Sequence, residues 1–160
     1  EYEDPAEVLG RLDAKIFHFE PGAMATAVYA VSEPPFDEIR IASAGHFLPI
    51  LAKPGEVPTQ AETPVSLPLG VQPECDRISA TIPFTNDSTL VLFTDGLIER
   101  RATTTPRGAE VFASIDSALA ELSQSVRQGP ADEVCSRILD SMLTIEPPGD
   151  DVALLVVRRH

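Results

Sequence analysis

Two apolar runs of strand character each abut acid. Leu90-Val91-Leu92-Phe93-Thr94 stops at Asp95-Gly96, and Asp150-Asp151, following Pro147-Pro148-Gly149, stands directly before Val152-Ala153-Leu154-Leu155-Val156-Val157. Branched and aromatic residues in such runs favour pleated, buried strands. A carboxylate fixed at the end of such a strand is held rigidly and can still face solvent, which suits it to ligate a hard metal ion. Any fold open to this chain must therefore bury two strands while keeping their acid ends wet.

Length and composition allow one globular domain of this kind: 160 residues with 43% hydrophobic content are enough for a core. The formal charge of −13 sets up a field that repels nucleic acid and anionic membrane, so neither is an expected partner. No segment has the apolar length of a membrane span, and no basic region followed by an apolar one opens the chain. Cys75 and Cys135 form no CxxC pair and have no histidine at ligand spacing, so neither a zinc site nor a disulfide framework is suggested, and a reducing cytoplasm fits. The first residues enter a helical pattern at once, as expected for a piece of something longer.

Asp4-Pro5 reads as an N-cap with proline at the first helical position, and Val8, Leu9, Leu12 and Ile16 recur at helical spacing, predicting a helix to His18. Strands are expected over 24–31, 38–43 and 48–51 as an antiparallel meander, then over 76–82 and 89–94 about the turn Thr85-Asn86-Asp87-Ser88. Between them, residues 53–74 carry Pro54, Pro58, Pro64, Pro68 and Pro73, predicting a long surface loop anchored by the apolar stretch 67–71. Helices are expected over 110–126 and after Pro130. The run 152–157, apolar on both faces, is expected to be a central strand. This order, one helix, about five strands, two helices and a strand, indicates an α+β layered domain with mostly antiparallel sheets.

Asp95 is the foremost candidate ligand, since the glycine after it lets backbone approach a bound group closely. Its plain alternative is a turn or helix cap. Glu99, four residues on, would share a helical face with Asp95 and add an oxygen, or else pair with Arg100 or Arg101. Asp150 and Asp151 place like charges side by side, a repulsion that a divalent cation removes; Asp150 is ranked first, leaving Asp151 to hydrogen-bond the turn. His46 reads as structural rather than as a proton carrier. No G-x-S-x-G elbow or G-x-x-x-x-G-K loop is present.

Four motifs in order, Ala42-Ser43-Ala44-Gly45-His46, Pro68-Leu69-Gly70-Val71, Phe93-Thr94-Asp95-Gly96-Leu97-Ile98-Glu99 and Gly149-Asp150-Asp151-Val152-Ala153-Leu154-Leu155, resemble the metal-dependent protein phosphatases of type 2C, in their bacterial SpoIIE/RsbU branch. The resemblance implies two stacked, mainly antiparallel sheets flanked by helices. It also implies a two-metal centre of Mn²⁺ or Mg²⁺ ligated by Asp95 and Asp150, with Asp151 beside them and Glu99 at the place of a third, weaker metal. Such a centre activates water for in-line attack on a phosphoserine or phosphothreonine without a phospho-enzyme. The implied substrate is a phosphorylated anti-sigma-factor antagonist, within a cytoplasmic stress-response or sigma-factor switch joined to other domains of a multidomain regulator; a homodimer is compatible with it. Residues 1–160 then correspond to the C-terminal two-thirds of one phosphatase domain. The earlier segment, with a bridging aspartate and a Gly-His-Gly motif, is expected upstream. The competing expectation is a non-catalytic regulatory or interaction module that keeps the fold.

Overall fold

The structure is a computed structural model that describes residues 4–98, 103–104, 110–111, 114–143 and 150–160. The chain separates into two compact units, Glu1–Leu48 with Ala61–Asn86, and Pro49–Gln60 with Asp87–His160.

In the first unit, α1 (Pro5–Phe19) starts as its sequence predicts: Asp4 Oδ1 accepts the Ala6 amide at 2.9 Å, and Pro5 occupies the first turn, where no amide partner is needed. β1 (Ala27–Val31) pairs antiparallel with β2 (Glu38–Ala44). The other side of β2 takes β5 (Val65–Ser66) in parallel and β6 (Ala80–Pro83) antiparallel. Leu9 of α1 is buried with Ala42, Ala44 and Leu69, so Leu69 is the apolar anchor of the Pro-rich segment. Asp13 lies on the same buried helix face with no solvent exposure. Its Oδ1 accepts the Gly70 amide at 2.6 Å, and its Oδ2 pairs with the Arg77 guanidinium, which also donates to the Leu67 carbonyl at 3.0 Å. One carboxylate thereby ties α1 to both ends of the 67–77 segment. Gly70 has φ +82°, and a Cβ there would meet the Ala23 carbonyl at 2.1 Å, so only glycine fits.

The second unit is built on a sheet ordered β10 (Leu154–Arg158), β7 (Thr89–Phe93), β3 (Ile50–Ala52), β4 (Thr59–Gln60), all antiparallel. Val91 and Ile50 at its centre have no exposure. α2 (Ile115–Ser125) packs on α3 (Ala131–Met142), and α3 on β10, burying Leu122, Val134 and Ile138. A short ribbon, β8 (Thr103–Thr104) with β9 (Glu110–Val111), completes the described elements.

Four expectations are corrected. β3 does not continue a meander from β2; it joins the other sheet, because the Gly45 amide is taken by the Ser66 carbonyl at 2.8 Å and the chain leaves β2 there. The helix expected over 110–126 begins at Ile115, where the Ser114 hydroxyl caps the Ser117 amide at 3.1 Å; residues 110–111 are strand and 112–113 lie outside the described residues. The Pro-rich loop contains two two-residue strands, β4 and β5. Finally, among the described residues β10 is an edge strand rather than a central one, with Leu155 57% and Val157 39% exposed.

Candidate functional site

The register Leu154↔Phe93 through Arg158↔Thr89 sets the C-terminal end of β7 beside the N-terminal end of β10. Since Asp95 follows β7 and Asp150-Asp151 precede β10, antiparallel pairing brings both acid segments to one end of the ladder. Thr94 closes that end. Its amide donates to the Ala153 carbonyl at 3.0 Å, and its hydroxyl donates to the Asp151 carbonyl at 3.1 Å while accepting the Ala153 amide at 2.8 Å. Asp95 then opens a single turn of 3-10 helix (Asp95–Leu97), pinned beneath by Leu97 and Ile98, each 1% exposed.

Gly96 allows the two segments to touch. A Cβ on it would lie 2.5 Å from the Asp151 carbonyl oxygen and 3.0 Å from that of Asp150, closer than side-chain carbons approach backbone. The acid side chains point into solvent: Asp95, Asp150 and Asp151 are all exposed. Each of the first two uses one oxygen locally. Asp95 Oδ1 accepts the Gly96 amide at 2.9 Å and Asp150 Oδ1 the Asp151 amide at 2.7 Å. Among the described residues, the bonds that hold the turn come from the Asp150 side chain and the Asp151 carbonyl.

Exposed, backbone-pinned carboxylates are hard oxygen donors, and this donor set fits Mg²⁺ or Mn²⁺ rather than a soft metal. It is a partial set: among the described residues no three His, Cys, Asp or Glu side chains gather as a metal-holding group. Glu99, the further acid named from the sequence, lies outside the described residues. His46 belongs to the first unit, where its Nδ1 meets Thr26 Oγ1 at 3.0 Å and its carbonyl accepts the Ser43 hydroxyl at 2.9 Å; these bonds anchor the turn after β2, in keeping with a structural role. Sequence reasoning passed over Thr94 and Asp13. Thr94 carried no signal beyond its place in the motif, whereas an acid falling between Leu9 and Ile16 on the apolar face of a helix was a visible anomaly.

No helix among the described residues is long and apolar enough to cross a membrane. The chain is similar to the RsbU and RsbW domains of a Mycobacterium tuberculosis protein, with a TM-score of 0.77 at 24% identity over 97% of this chain and 42% of that one. It is similar to the SiaA-PP2C domain of Pseudomonas aeruginosa, at 0.73 and 19% over 99% of this chain and 61% of that one. It is also similar to the manganese-presoaked phosphatase domain of the Bacillus subtilis cell fate determinant SpoIIE, at 0.62 and 14% over 99% and 74%. The chain thus spans under two thirds of the length of the first two. No match is found among curated proteins. The sequence profile of the family described as Stage II sporulation protein E (SpoIIE) matches residues 1–160 in full, and the chain, whose described residues form two four-stranded sheets, a two-stranded ribbon and three α-helices of a type 2C phosphatase-like α+β fold, belongs to that family.

Proposed function

We propose that residues 1–160 form the later part of one metal-dependent serine/threonine protein phosphatase domain, with Asp95 and Asp150 as ligands of a Mn²⁺ or Mg²⁺ centre. The observation that carries this reading is the meeting of the two acid segments at one end of the β7–β10 ladder, where Thr94 and Gly96 hold them. When bound, the metal would lower the pKa of a water and offset phosphoryl charge. The chain's own residues do the rest. Asp95 and Asp150 hold their carboxylates outward, each steadied by a backbone amide; Thr94 fixes the spacing of the segments; Asp151 adds negative charge that favours cation capture. Water activated by the metal needs no protein nucleophile.

The proposed substrate is a phosphoserine or phosphothreonine of an anti-sigma-factor antagonist, and the proposed setting a cytoplasmic multidomain regulator. Family membership and the likeness to a structure holding both RsbU and RsbW domains support this setting. The test is calorimetric titration of the 160-residue protein with Mn²⁺, alongside phosphate release from a phosphoserine peptide by the full-length protein that carries the upstream residues. Asp95→Asn and Asp150→Asn, which keep the cap geometry but remove charge, are expected to weaken Mn²⁺ binding by about tenfold or more. Wild-type affinity in both variants would remove these residues from the ligand set. Mn²⁺ binding without phosphate release by the full-length protein would favour the non-catalytic module.

A further inference from the structure

Asp95-Gly96 is the one Asp-Gly pair in the sequence, and the structure sets its atoms for a reaction of the chain with itself. The Gly96 amide donates to Asp95 Oδ1 at 2.9 Å. The carboxyl carbon, one bond from that oxygen, is thereby held against the same nitrogen, and two reacting groups kept so close need no encounter. In the 3-10 turn the backbone bonds are made by other amides: Leu97 donates to the Thr94 carbonyl at 3.1 Å and Ile98 to the Asp95 carbonyl at 2.8 Å. Neither donor is the one that would react. Glycine adds no side chain to hinder its nitrogen. The packed side of Gly96 is its Cα, against the Asp151 carbonyl, whereas its N–H is aimed at the carboxylate of Asp95, an exposed residue. Asp150 gives the contrast. Its Oδ1 also accepts the next amide, at 2.7 Å, but that amide belongs to Asp151, whose Cβ crowds the nitrogen.

We propose that Asp95-Gly96 is a modification site, at which the folded chain isomerises to isoaspartate. The Gly96 nitrogen bonds to Asp95 Cγ, one carboxyl oxygen leaves as water with the amide proton and a proton from solvent, and a cyclic imide closes. Water then cleaves the imide. Cleavage at Cγ returns aspartate; cleavage at the Asp95 main-chain carbonyl leaves the chain running through Cβ and Cγ, with the former carbonyl carbon as the free carboxylate. The water and the solvent proton are regained, so no oxidant or co-reactant is needed. The product has a main chain longer by one carbon and a carboxylate arm shorter by one methylene, and the carbonyl that accepts the Ile98 amide leaves the chain. Leu97 and Ile98, each 1% exposed, are packed in place, so the extra length displaces the acid end of the turn. The isomerisation stands on the turn's geometry alone, whereas its effect on cation binding rests on the reading of Asp95 as a ligand.

The test is mass spectrometry of the 160-residue protein kept for weeks at neutral pH in heavy-oxygen water, folded by circular dichroism throughout and digested in ordinary water. Isoaspartyl methyltransferase with a labelled methyl donor probes for the product. The peptide carrying residue 95 is expected to gain one solvent oxygen and to accept methyl, ahead of the peptide carrying Asp150-Asp151. Asp95→Asn, which loses ammonia in place of water, should convert faster, and Asp95→Glu, whose ring would need one more member, should stay unconverted. Saturating Mn²⁺ should slow the reaction, since a coordinated oxygen is held from leaving; isomerisation indifferent to Mn²⁺ would sustain the modification site and remove Asp95 from the ligand set. A folded protein unmodified at residue 95, while the urea-unfolded chain isomerises there, would overturn the proposal, because the turn would then shield the bond. So would conversion at Asp150 equal to that at Asp95.

Discussion

Gly96→Ala is the sharpest probe of the site's construction. Gly96 sits in a 3-10 turn, so its need for glycine comes from close approach rather than from backbone angle. The added Cβ would stand 2.5 Å from the Asp151 carbonyl oxygen, and real Cβ contacts essentially never fall under 3.0 Å, so one segment must retreat by at least the difference, 0.5 Å. The obstacle is backbone, and the Thr94 hydroxyl holds it at 3.1 Å, so the retreat stretches that bond. Overpacking of this kind costs about 1–3 kcal/mol, and a lost hydrogen bond about 1 kcal/mol more. The entropy that alanine removes from the unfolded chain returns about 0.4–1 kcal/mol. The net expectation is a loss of about 1–3 kcal/mol, or roughly 3–10 °C in melting temperature for a chain of this length. Thermal and urea denaturation followed by circular dichroism measure the loss, and Mn²⁺ calorimetry on the same samples should show weaker binding, because the acid segments have been levered apart. A variant as stable as the wild type that binds Mn²⁺ equally well would refute the claim that this contact sets the spacing of the carboxylates.

Asp13→Asn leaves an acceptor for the Gly70 amide but strands the buried Arg77 guanidinium, whose side chain is 3% exposed. Breaking one side of a buried pair costs about 3–5 kcal/mol; urea denaturation should show it, and a loss below about 1 kcal/mol would mean that Arg77 finds other solvation. The Asp4 carboxyl is held below its ordinary 3.8 first by the Ser79 hydroxyl, whose 2.7 Å bond favours the ionised form; burial, next in size, opposes this, and the Ala6 and Glu7 amides and the Arg40 charge reinforce it. A depressed folded-state pKa gives stability that is present above the unfolded value and lost as pH falls through the folded one. Ser79→Ala should therefore raise the Asp4 pKa, read by carbon-detected NMR titration, and the wild type's stability advantage over it should fade in acid. An Asp4 pKa that stays or falls in the variant contradicts this.

What could be read from the sequence was what local chemistry decides. The Asp4-Pro5 start of α1 was legible because a cap is made by residues in contact along the chain. β7 and β10 were legible as strands from their apolar runs, and Leu69 as the anchor of a Pro-rich stretch. Sheet membership was not, since Ile50-Leu51 has the same pattern whether it pairs with β2 or with β7, and the turn at Gly45 decides between them. The place of β10 in its sheet was misread for a related reason. Apolar residues on both faces describe a strand covered on both faces, and the described residues leave one face and one edge of β10 open.

The candidate site was legible in its residue types and illegible in its geometry until pairing was known. Thr94 and Asp151 are 57 residues apart in the chain, and no spacing rule joins them. Yet the polarity of the two motifs limits the outcomes. An acid after one strand and an acid before another meet at one end only if the strands run antiparallel; parallel strands would send them to opposite ends, at least the length of a five-residue strand apart. The same antiparallel sense is what lets the Thr94 hydroxyl, one step beyond β7, reach the backbone one and three residues before β10. Ladder direction, hydroxyl clamp and glycine contact are thus one device read at three scales. A metal preference measured at Asp95 and Asp150 reports on the pairing of β7 with β10 as much as on the carboxylates themselves.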